Sequence, residues 1–183
     1  MKFKNLEMTG FKSFSEKTTI LIEKGLTGIV GPNGCGKSNI VEALRWCMGE
    51  NSAKSMRGSG MEDVIFSGTS NRPSKNISEV ALLLDNQEKS GPVQYKEFDE
   101  ISVKRKIEKD KGSKYYINDK EVRARDVQTF FADLSTGAHS PSLISQGRIG
   151  QLVIAKPIER KSILEEAASI SGIHARSKKR KQD

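Results

Sequence analysis

The chain has 183 residues, with 31 Lys and Arg against 23 Asp and Glu, a formal net charge of +8 at pH 7. The hydrophobic fraction is 35% and the charged fraction 30%, which predicts one polar domain with a core of its own. No apolar run reaches membrane-spanning length and no charged-then-apolar leader opens the chain, which excludes a membrane span and predicts a cytoplasmic location.

Three strands are predicted before residue 31. Residues 2–9 and 17–22 have strand patterns, and the second is rich in β-branched residues. Residues 25–30 form a short apolar segment that we interpret as a buried strand. Between the first two strands, residues 10–14 (GFKSF) make a compact turn, whose aromatic side chains either pack inward or, with the lysine, contact a nucleotide.

Residues 31–38 (GPNGCGKS) match the phosphate-binding loop pattern G-x-x-x-x-G-K-[ST] at every fixed position. Glycines allow tight turns that aim backbone amides at phosphates, and a helix that starts there adds its unpaired N–H groups. Lys37 supplies a positive charge for the outer phosphates, and Ser38 a hydroxyl for the magnesium ion. Apolar residues at helical spacing follow, and Gly49 stands where a helix would stop: Ile40, Val41, Ala43, Leu44, Cys47 and Met48.

A polar loop over residues 51–60 carries Arg57, which either meets a phosphate or a partner, or is an ordinary surface arginine. Residues 80–85 (VALLLD) superficially resemble a Walker B strand, whose aspartate would help to hold magnesium. Because Asn86 follows where a hydrolysing site has a glutamate base, we interpret the segment ending at Asp85 as an ordinary buried strand.

The segment after residue 100 predicts a strand followed by a hairpin with basic character. Residues 101–107 alternate apolar and polar side chains, and residues 114–122 read as strand, tight turn and strand. Lys104, Arg105 and Arg123 lie close in sequence to two tyrosines, a pattern that suits contact with a phosphate backbone. A solvated antiparallel face is an equal alternative.

Residues 127–134 predict a helix with one apolar stripe. We do not interpret residues 134–137 (LSTG) as a cassette-ATPase signature, because that motif opens a helix and here the helix precedes it. Gln146 follows an apolar segment, in the manner of the glutamine that reaches magnesium and the attacking water in cassette ATPases. A helix with heptad-like spacing is predicted from Pro157.

Four segments together make the chain resemble the amino-terminal half of the ATPase head of bacterial SMC (structural maintenance of chromosomes) proteins. They are residues 10–14, 31–38, 56–66 (MRGSGMEDVIF) and 144–149 (ISQGRI), and the resemblance runs over essentially the whole chain. It implies an α/β fold with an α+β lobe around a P-loop core. Residues 1–156 would be the N-terminal lobe of an ABC-type head, and residues 157–183 the root of a coiled-coil arm.

The resemblance also implies ATP and Mg²⁺ as ligands, with a signature motif and Walker B strand supplied by the carboxy-terminal head half of the same polypeptide. Further implied partners are a second head in a homodimer, kleisin-type subunits and DNA bound without sequence preference, in the cytoplasm at the nucleoid. Lys37 and Gln146 are the implied catalytic residues, and Ser38 and Gln146 the metal ligands. The implied nucleotide-binding residues are Lys12, Ser13, Gly31, Pro32, Asn33, Gly34, Cys35, Gly36, Lys37, Ser38, Asn39 and Arg57.

Three other classes stay open on sequence alone. Another coiled-coil ABC ATPase of DNA repair shares the first motif but not residues 56–66. A P-loop kinase or GTPase would need Asp85 as a metal ligand and, for guanine, an Asn-Lys-x-Asp motif that is absent from the sequence. A non-enzymatic DNA-binding module would use the basic hairpin as its surface.

Overall fold

The computed structural model describes residues 1–134, together with residues 143, 154, 156, 157 and 161. Six strands and two helices span the described part: β1 (Lys2–Thr9), β2 (Thr18–Leu21), α1 (Lys37–Cys47), β3 (Ile77–Asp85), β4 (Glu100–Glu108), β5 (Gly112–Ile117), β6 (Lys120–Val122) and α2 (Ala124–Asp133). Short 3-10 turns occur at Lys54–Met56, Met61–Val64 and Val93–Tyr95. No helix in the described residues is long and apolar enough to cross a membrane.

The strands form one antiparallel sheet in the order β2-β1-β3-β4-β5-β6. A single buried row crosses four of them, because Leu6 pairs with Leu82, Leu82 with Val103, and Val103 with Ile117. Alternate residues of β3 and β4 are buried, so one face of the sheet belongs to the core and the other faces outward.

Helix α1 packs its apolar side on the buried face of this sheet. Ala43, Trp46 and Cys47 are fully buried, and the Cys47 thiol donates to the carbonyl oxygen of Val103 at 3.2 Å. Burial raises the pKa of that thiol to about 12, so it stays protonated. Each large apolar side chain buried here contributes roughly 1.5–3 kcal/mol. The packing therefore fixes the helix that begins at the phosphate loop against the sheet.

The predicted hairpin and the second helix are both found. Asn118 and Asp119 take left-handed backbone angles (φ 47° and 60°) between β5 and β6, as a two-residue hairpin turn requires. In α2, the predicted stripe lies in the core, with Val127, Phe130 and Phe131 buried.

The prediction of a strand over residues 25–30 is wrong for the described part of the chain. These residues have no strand structure, and Leu26 and Val30 are 96% and 92% exposed. A strand needs a hydrogen-bonded neighbour, and no strand of the described sheet pairs with this segment. The side chains of Leu26 and Val30 therefore lie in solvent and not in a core formed by the described residues.

Three predictions fall outside the described residues. Gln146, most of the 134–137 segment and nearly all of the arm from residue 157 are among them. They remain predictions.

Candidate nucleotide-binding site

The phosphate loop turns through two glycines in left-handed conformation, Gly34 (φ 84°) and Gly36 (φ 91°). A Cβ on Gly36 would lie 2.9 Å from the Ser13 hydroxyl oxygen and 3.5 Å from the Phe14 ring. Glycine is therefore needed there both for the backbone angle and for the close approach of the 10–14 turn. The loop and that turn are packed against each other.

Gly36 also caps α1 without a side-chain hydrogen bond, and no acidic residue lies in the first turn. Among the described residues, no backbone carbonyl outside α1 accepts a hydrogen bond from four amides of this loop, those of Gly34, Gly36, Lys37 and Ser38. Uncapped amides at a helix start carry partial positive charge and bind anions well. The residues present therefore fit a polyphosphate.

Lys37 lies at the mouth of the loop. Its Nζ donates to the carbonyl oxygens of Gly31 at 2.7 Å and Pro32 at 2.5 Å, and lies 3.8 Å from the Cys35 sulfur. Ser38 is exposed next to it. An ammonium and a hydroxyl beside free amides are the groups with which a phosphate loop holds phosphates and their Mg²⁺ ion.

Two distant segments join at α1 to extend this site. The amide of Phe66 donates to the carbonyl of Gly10 at 2.8 Å, and the amide of Lys12 donates to that of Val64 at 2.7 Å. Phe11 is fully buried with its ring centroid 5.5 Å from that of Trp46. The 10–14 turn is thus fixed between α1 and the 54–66 segment, so the inward-packing interpretation holds for Phe11.

Polar side chains link these three segments in one network. Asn39 Nδ2 donates to the Ser13 hydroxyl at 2.9 Å, and Arg57 Nη2 donates to Asn39 Oδ1 at 2.7 Å. The carboxylate of Glu42 forms ion pairs with both Lys12 and Arg57. The structure therefore brings together four residues predicted from sequence: Lys12, Ser13, Asn39 and Arg57.

Glu42 is the member of this network that sequence reasoning missed. The available signal was an acidic residue within the apolar pattern of α1, three residues after Asn39 and so on the same face of the helix. A charge at a position that should be buried indicates a partner, because an unpaired buried carboxylate is costly.

The loop that carries Arg57 is ordered by Asp63. Its Oδ2 accepts the amides of Ser59 and Gly60 at 2.6 and 2.9 Å and the Ser59 hydroxyl at 2.9 Å. The hydrogen bond from the Gly60 amide, followed by those from Ser59, lowers the pKa of the Asp63 carboxyl. Arg57 itself has a left-handed backbone (φ 53°).

The basic residues of the hairpin are not equivalent. Arg105 is 2% exposed and lies inside the core, so its guanidinium is not available to a phosphate backbone and we remove it from the DNA-binding set. Lys104 is on the outer face, near Asp119 and the Tyr116 ring, and Arg123 is exposed. The outer face mixes both charge signs, as the solvated-face alternative predicts.

A cavity of about 990 Å³ lies beside the phosphate loop. The exposed segment 23–29 and α1 line two of its sides, and Leu6 and Leu84 from the sheet line another. A cavity with apolar walls and an unpaired strand-like segment at its edge suits additional protein core better than a small solvent-filled cleft.

Asp85 is not placed for a metal site. It ends an antiparallel strand, and its Oδ1 accepts the amide of Gln87 at 2.9 Å. Within residues 1–134 and the few described beyond them, no group of three or more His, Cys, Asp or Glu is arranged to hold a metal ion. The interpretation of β3 as a structural strand agrees with this geometry, although only one of its faces is buried.

The fold and the loop together define a lobe with a P-loop motif, built on an antiparallel sheet. The family described as RecF/RecN/SMC N terminal domain matches residues 2–148, and the chain belongs to it. A relative named chromosome partition protein Smc, from Cereibacter sphaeroides, is 57% identical over 176 residues, 96% of this chain and 15% of that protein. The chain thus spans about 15% of the length of the curated relatives it matches.

Solved structures agree with this assignment. An SMC ATPase described for its ATP-driven dimerization and DNA-stimulated activation is similar with TM-score 0.76 and 31% identity, over 91% of this chain and 99% of that one. A Smc head bound to the C-winged helix domain of ScpA is similar with TM-score 0.83 and 31% identity, over 93% and 52% of the two chains. The predicted fold, the N-terminal region of an SMC ATPase head, is confirmed.

Proposed function

We propose that this chain is the ATP-binding half of the head of an Smc-type chromosome condensation and partition ATPase. The single observation that carries the proposal is the phosphate loop with its uncapped helix start, joined to Ser13 and Arg57 through Asn39 and to Lys12 through Glu42. Three segments far apart in sequence converge there, in a family whose relatives are named for chromosome partition.

In this proposal the loop amides and the start of α1 hold the phosphates of ATP, and Lys37 neutralises charge on the β- and γ-phosphates. Ser38, and by expectation Gln146, would hold Mg²⁺, which neutralises charge that develops on the phosphate oxygens. When ATP binds, the Lys37 ammonium would leave the carbonyl oxygens of Gly31 and Pro32 and donate to phosphate oxygens instead. These hydrogen bonds would be stronger, because both partners carry charge. Catalysis by this half is then positioning and electrostatic stabilisation.

We propose that the remaining catalytic groups come from the carboxy-terminal half of the same polypeptide. The exposed apolar segment 26–30 and the cavity of about 990 Å³ beside α1 support this. Strands from the other half would pair with this segment and bury its side chains. Residues 1–156 would then be one lobe of the head and residues 157–183 the root of the coiled-coil arm.

Partners follow from the same proposal. A second head would close on the nucleotide, since a similar SMC ATPase is described for ATP-driven dimerization. A kleisin-type subunit would bind the assembled head, as ScpA binds a similar Smc head. DNA would be bound through its backbone by basic residues of the outer face and hairpin such as Lys104 and Arg123, in the cytoplasm at the nucleoid. A DNA-repair ATPase of the same family is the alternative.

The experiment is to compare ATP hydrolysis by the chain alone, by the chain with the carboxy-terminal head segment, and by the full-length protein. The chain alone should show background turnover, and addition of the other half should restore it. Lys37→Ala should abolish the restored activity, whereas Lys111→Ala, which alters an exposed lysine paired with Glu108, should not. Turnover by the chain alone that Lys37→Ala abolishes would contradict the composite site, and restored turnover that survives Lys37→Ala would contradict the proposed ATP site.

A further inference from the structure

Glu42 is a buried carboxylate on the helix that begins at Lys37. Its side chain is 8% exposed, and each of its oxygens faces a different cation: Oε2 faces Lys12 Nζ and Oε1 faces Arg57 Nε. A buried carboxylate with one charged partner on each oxygen is compensated, whereas loss of the carboxylate would leave the enclosed Lys12 ammonium without its ion pair, which is costly. The geometry of the three side chains is therefore mutually determined.

The two cations differ in exposure. The Lys12 side chain is 13% exposed, and its ammonium also donates to the Met56 carbonyl oxygen, so it is enclosed. The Arg57 side chain is 57% exposed although its Nε is held by the same carboxylate. Glu42 thus ties an exposed guanidinium to a buried anchor.

Both anchors of the Arg57 guanidinium lie on α1. Glu42 holds Nε and Asn39 holds Nη2, and these residues are five and two positions after Lys37. Among the described residues, Nη1 makes no hydrogen bond, so the guanidinium keeps one donor group for an external anion. Two contacts to one planar group fix both its position and its orientation.

The backbone of the same loop is held by further hydrogen bonds. Lys12 holds the Met56 carbonyl, Met56 itself is buried, and Asp63 accepts the amides of Ser59 and Gly60. The Arg57 amide closes the turn by donating to the Lys54 carbonyl at 3.0 Å. With the backbone set by these bonds, the direction of the arginine side chain depends on Glu42 and Asn39.

We propose that Glu42 is a positioning residue, which holds the Arg57 guanidinium beside the first turn of α1 so that it meets the phosphates of a nucleotide in the loop. The inference rests on the proposed ATPase function and goes beyond it, because it assigns a role to a buried residue outside the phosphate loop. Glu42 acts through Arg57, and through Lys12 it ties the 10–14 turn to the same point. An arginine delivered in a fixed orientation stabilises transition-state charge without reorganisation at the moment of reaction.

The test uses the full-length protein, with ATPase kinetics and ATP affinity measured separately. Glu42→Gln keeps the shape of the side chain and removes its charge. We expect kcat to fall about 10-fold, since small misplacements of a catalytic group are costly. The Kd for ATP should stay within about 2-fold of wild type, because the phosphate loop is intact. The matched control is Glu7→Gln on β1. It breaks the more exposed ion pair between Glu7 and Lys17 and should leave kcat and the Kd for ATP unchanged.

A double-variant cycle separates positioning from general support of the fold. If Glu42 acts through Arg57, Glu42→Gln should have no further effect on kcat in an Arg57→Ala background. Additive losses, or an unchanged kcat in Glu42→Gln when Arg57→Ala is impaired, would overturn the inference. An unchanged kcat in Arg57→Ala would also overturn it.

Should Glu42→Gln fail to fold, the Lys12→Met, Glu42→Met pair replaces the buried ion pair with apolar side chains and avoids an unpaired charge. This variant should fold and show the low kcat expected when Arg57 loses its carboxylate partner. A folded double variant with normal kcat would overturn the inference. Lys37→Ala distinguishes the two levels. If Lys37→Ala loses turnover while Glu42→Gln keeps a normal kcat, only the role of Glu42 is rejected. If Lys37→Ala retains turnover, the proposed ATP site is rejected and the inference fails with it.

Discussion

The guanidinium of Arg105, on β4, donates a hydrogen bond of 2.9 Å to the carbonyl oxygen of Trp46, near the end of α1. The same group donates to the Glu50 carbonyl at 2.6 Å and lies 4.5 Å from the Trp46 ring and 4.6 Å from the Tyr115 ring. Carbonyl oxygens at the end of a helix lack partners within the helix, and a cation is favourable there. The sheet therefore holds the far end of the helix that begins at the phosphate loop.

Arg105→Met should destabilise the chain by about 2–4 kcal/mol, because two buried carbonyls lose a charged donor and the rings lose a stacked cation. Arg105→Lys should recover little, since an ammonium lacks the planar fork that reaches both carbonyls. Urea unfolding followed by the fluorescence of Trp46, the single tryptophan in the chain, measures the change. Lys106→Met, on the outer face of the same strand, is the control, and equal losses in the two Met variants would contradict the assignment.

Val30→Asp should leave the stability of the chain alone unchanged within about 0.5 kcal/mol, because the side chain is 92% exposed. In the proposed composite head this residue becomes buried, so the same change should abolish association with the carboxy-terminal segment. Co-purification and titration calorimetry measure the association. Val93→Asp, at a residue 80% exposed in the loop between β3 and β4, is the matched control and should still associate. Normal association by Val30→Asp would contradict the proposed docking of the second half.

The Asp63 carboxylate should make stability depend on pH. Hydrogen bonds from Gly60 and Ser59 lower its folded-state pKa below the unfolded value, so its contribution is present above the unfolded pKa and is lost as pH falls through the folded pKa. Asp63→Asn should therefore be less stable than wild type at pH 7, and the difference should shrink below about pH 4, near the ordinary aspartate pKa. Urea midpoints across this range test the prediction. A difference that is constant with pH would show that the carboxylate charge is not the cause.

DNA binding by the assembled head should weaken steeply with salt and ignore sequence, because phosphate contacts release counterions. Arg123→Ala should lower the affinity and reduce the slope of log K against log salt by about 1. Lys2→Ala on β1 is the control for net charge, because this exposed lysine pairs only with the surface residue Glu88 among the ion pairs of the described residues. Equal effects of the two substitutions, or affinity that persists at high salt, would contradict a specific contact at the hairpin.

Local patterns predicted most of the elements, because their signals depend on neighbours in sequence. The spacing of Ile40, Ala43, Leu44 and Cys47 predicted α1, and the alternation over residues 101–107 predicted β4. The 31–38 loop was recognisable because its chemistry needs particular residues at fixed spacing. The segment 26–30 was mispredicted for the opposite reason, since apolar composition favours a strand but a strand forms only when a neighbour pairs with it.

The sequence by itself thus determined the phosphate loop, the helix behind it and the family to which the chain belongs. Tertiary structure decided which charged residues lie beside the phosphate loop. The residue type alone does not distinguish Arg105 from Arg57. In the fold, Arg105 is enclosed between the rings of Trp46 and Tyr115, whereas Arg57 stays exposed beside α1. Glu42 shows the same dependence, because a carboxylate is tolerated inside a core only where folding brings cations to it, and Lys12 and Arg57 arrive from segments 30 residues before and 15 residues after it.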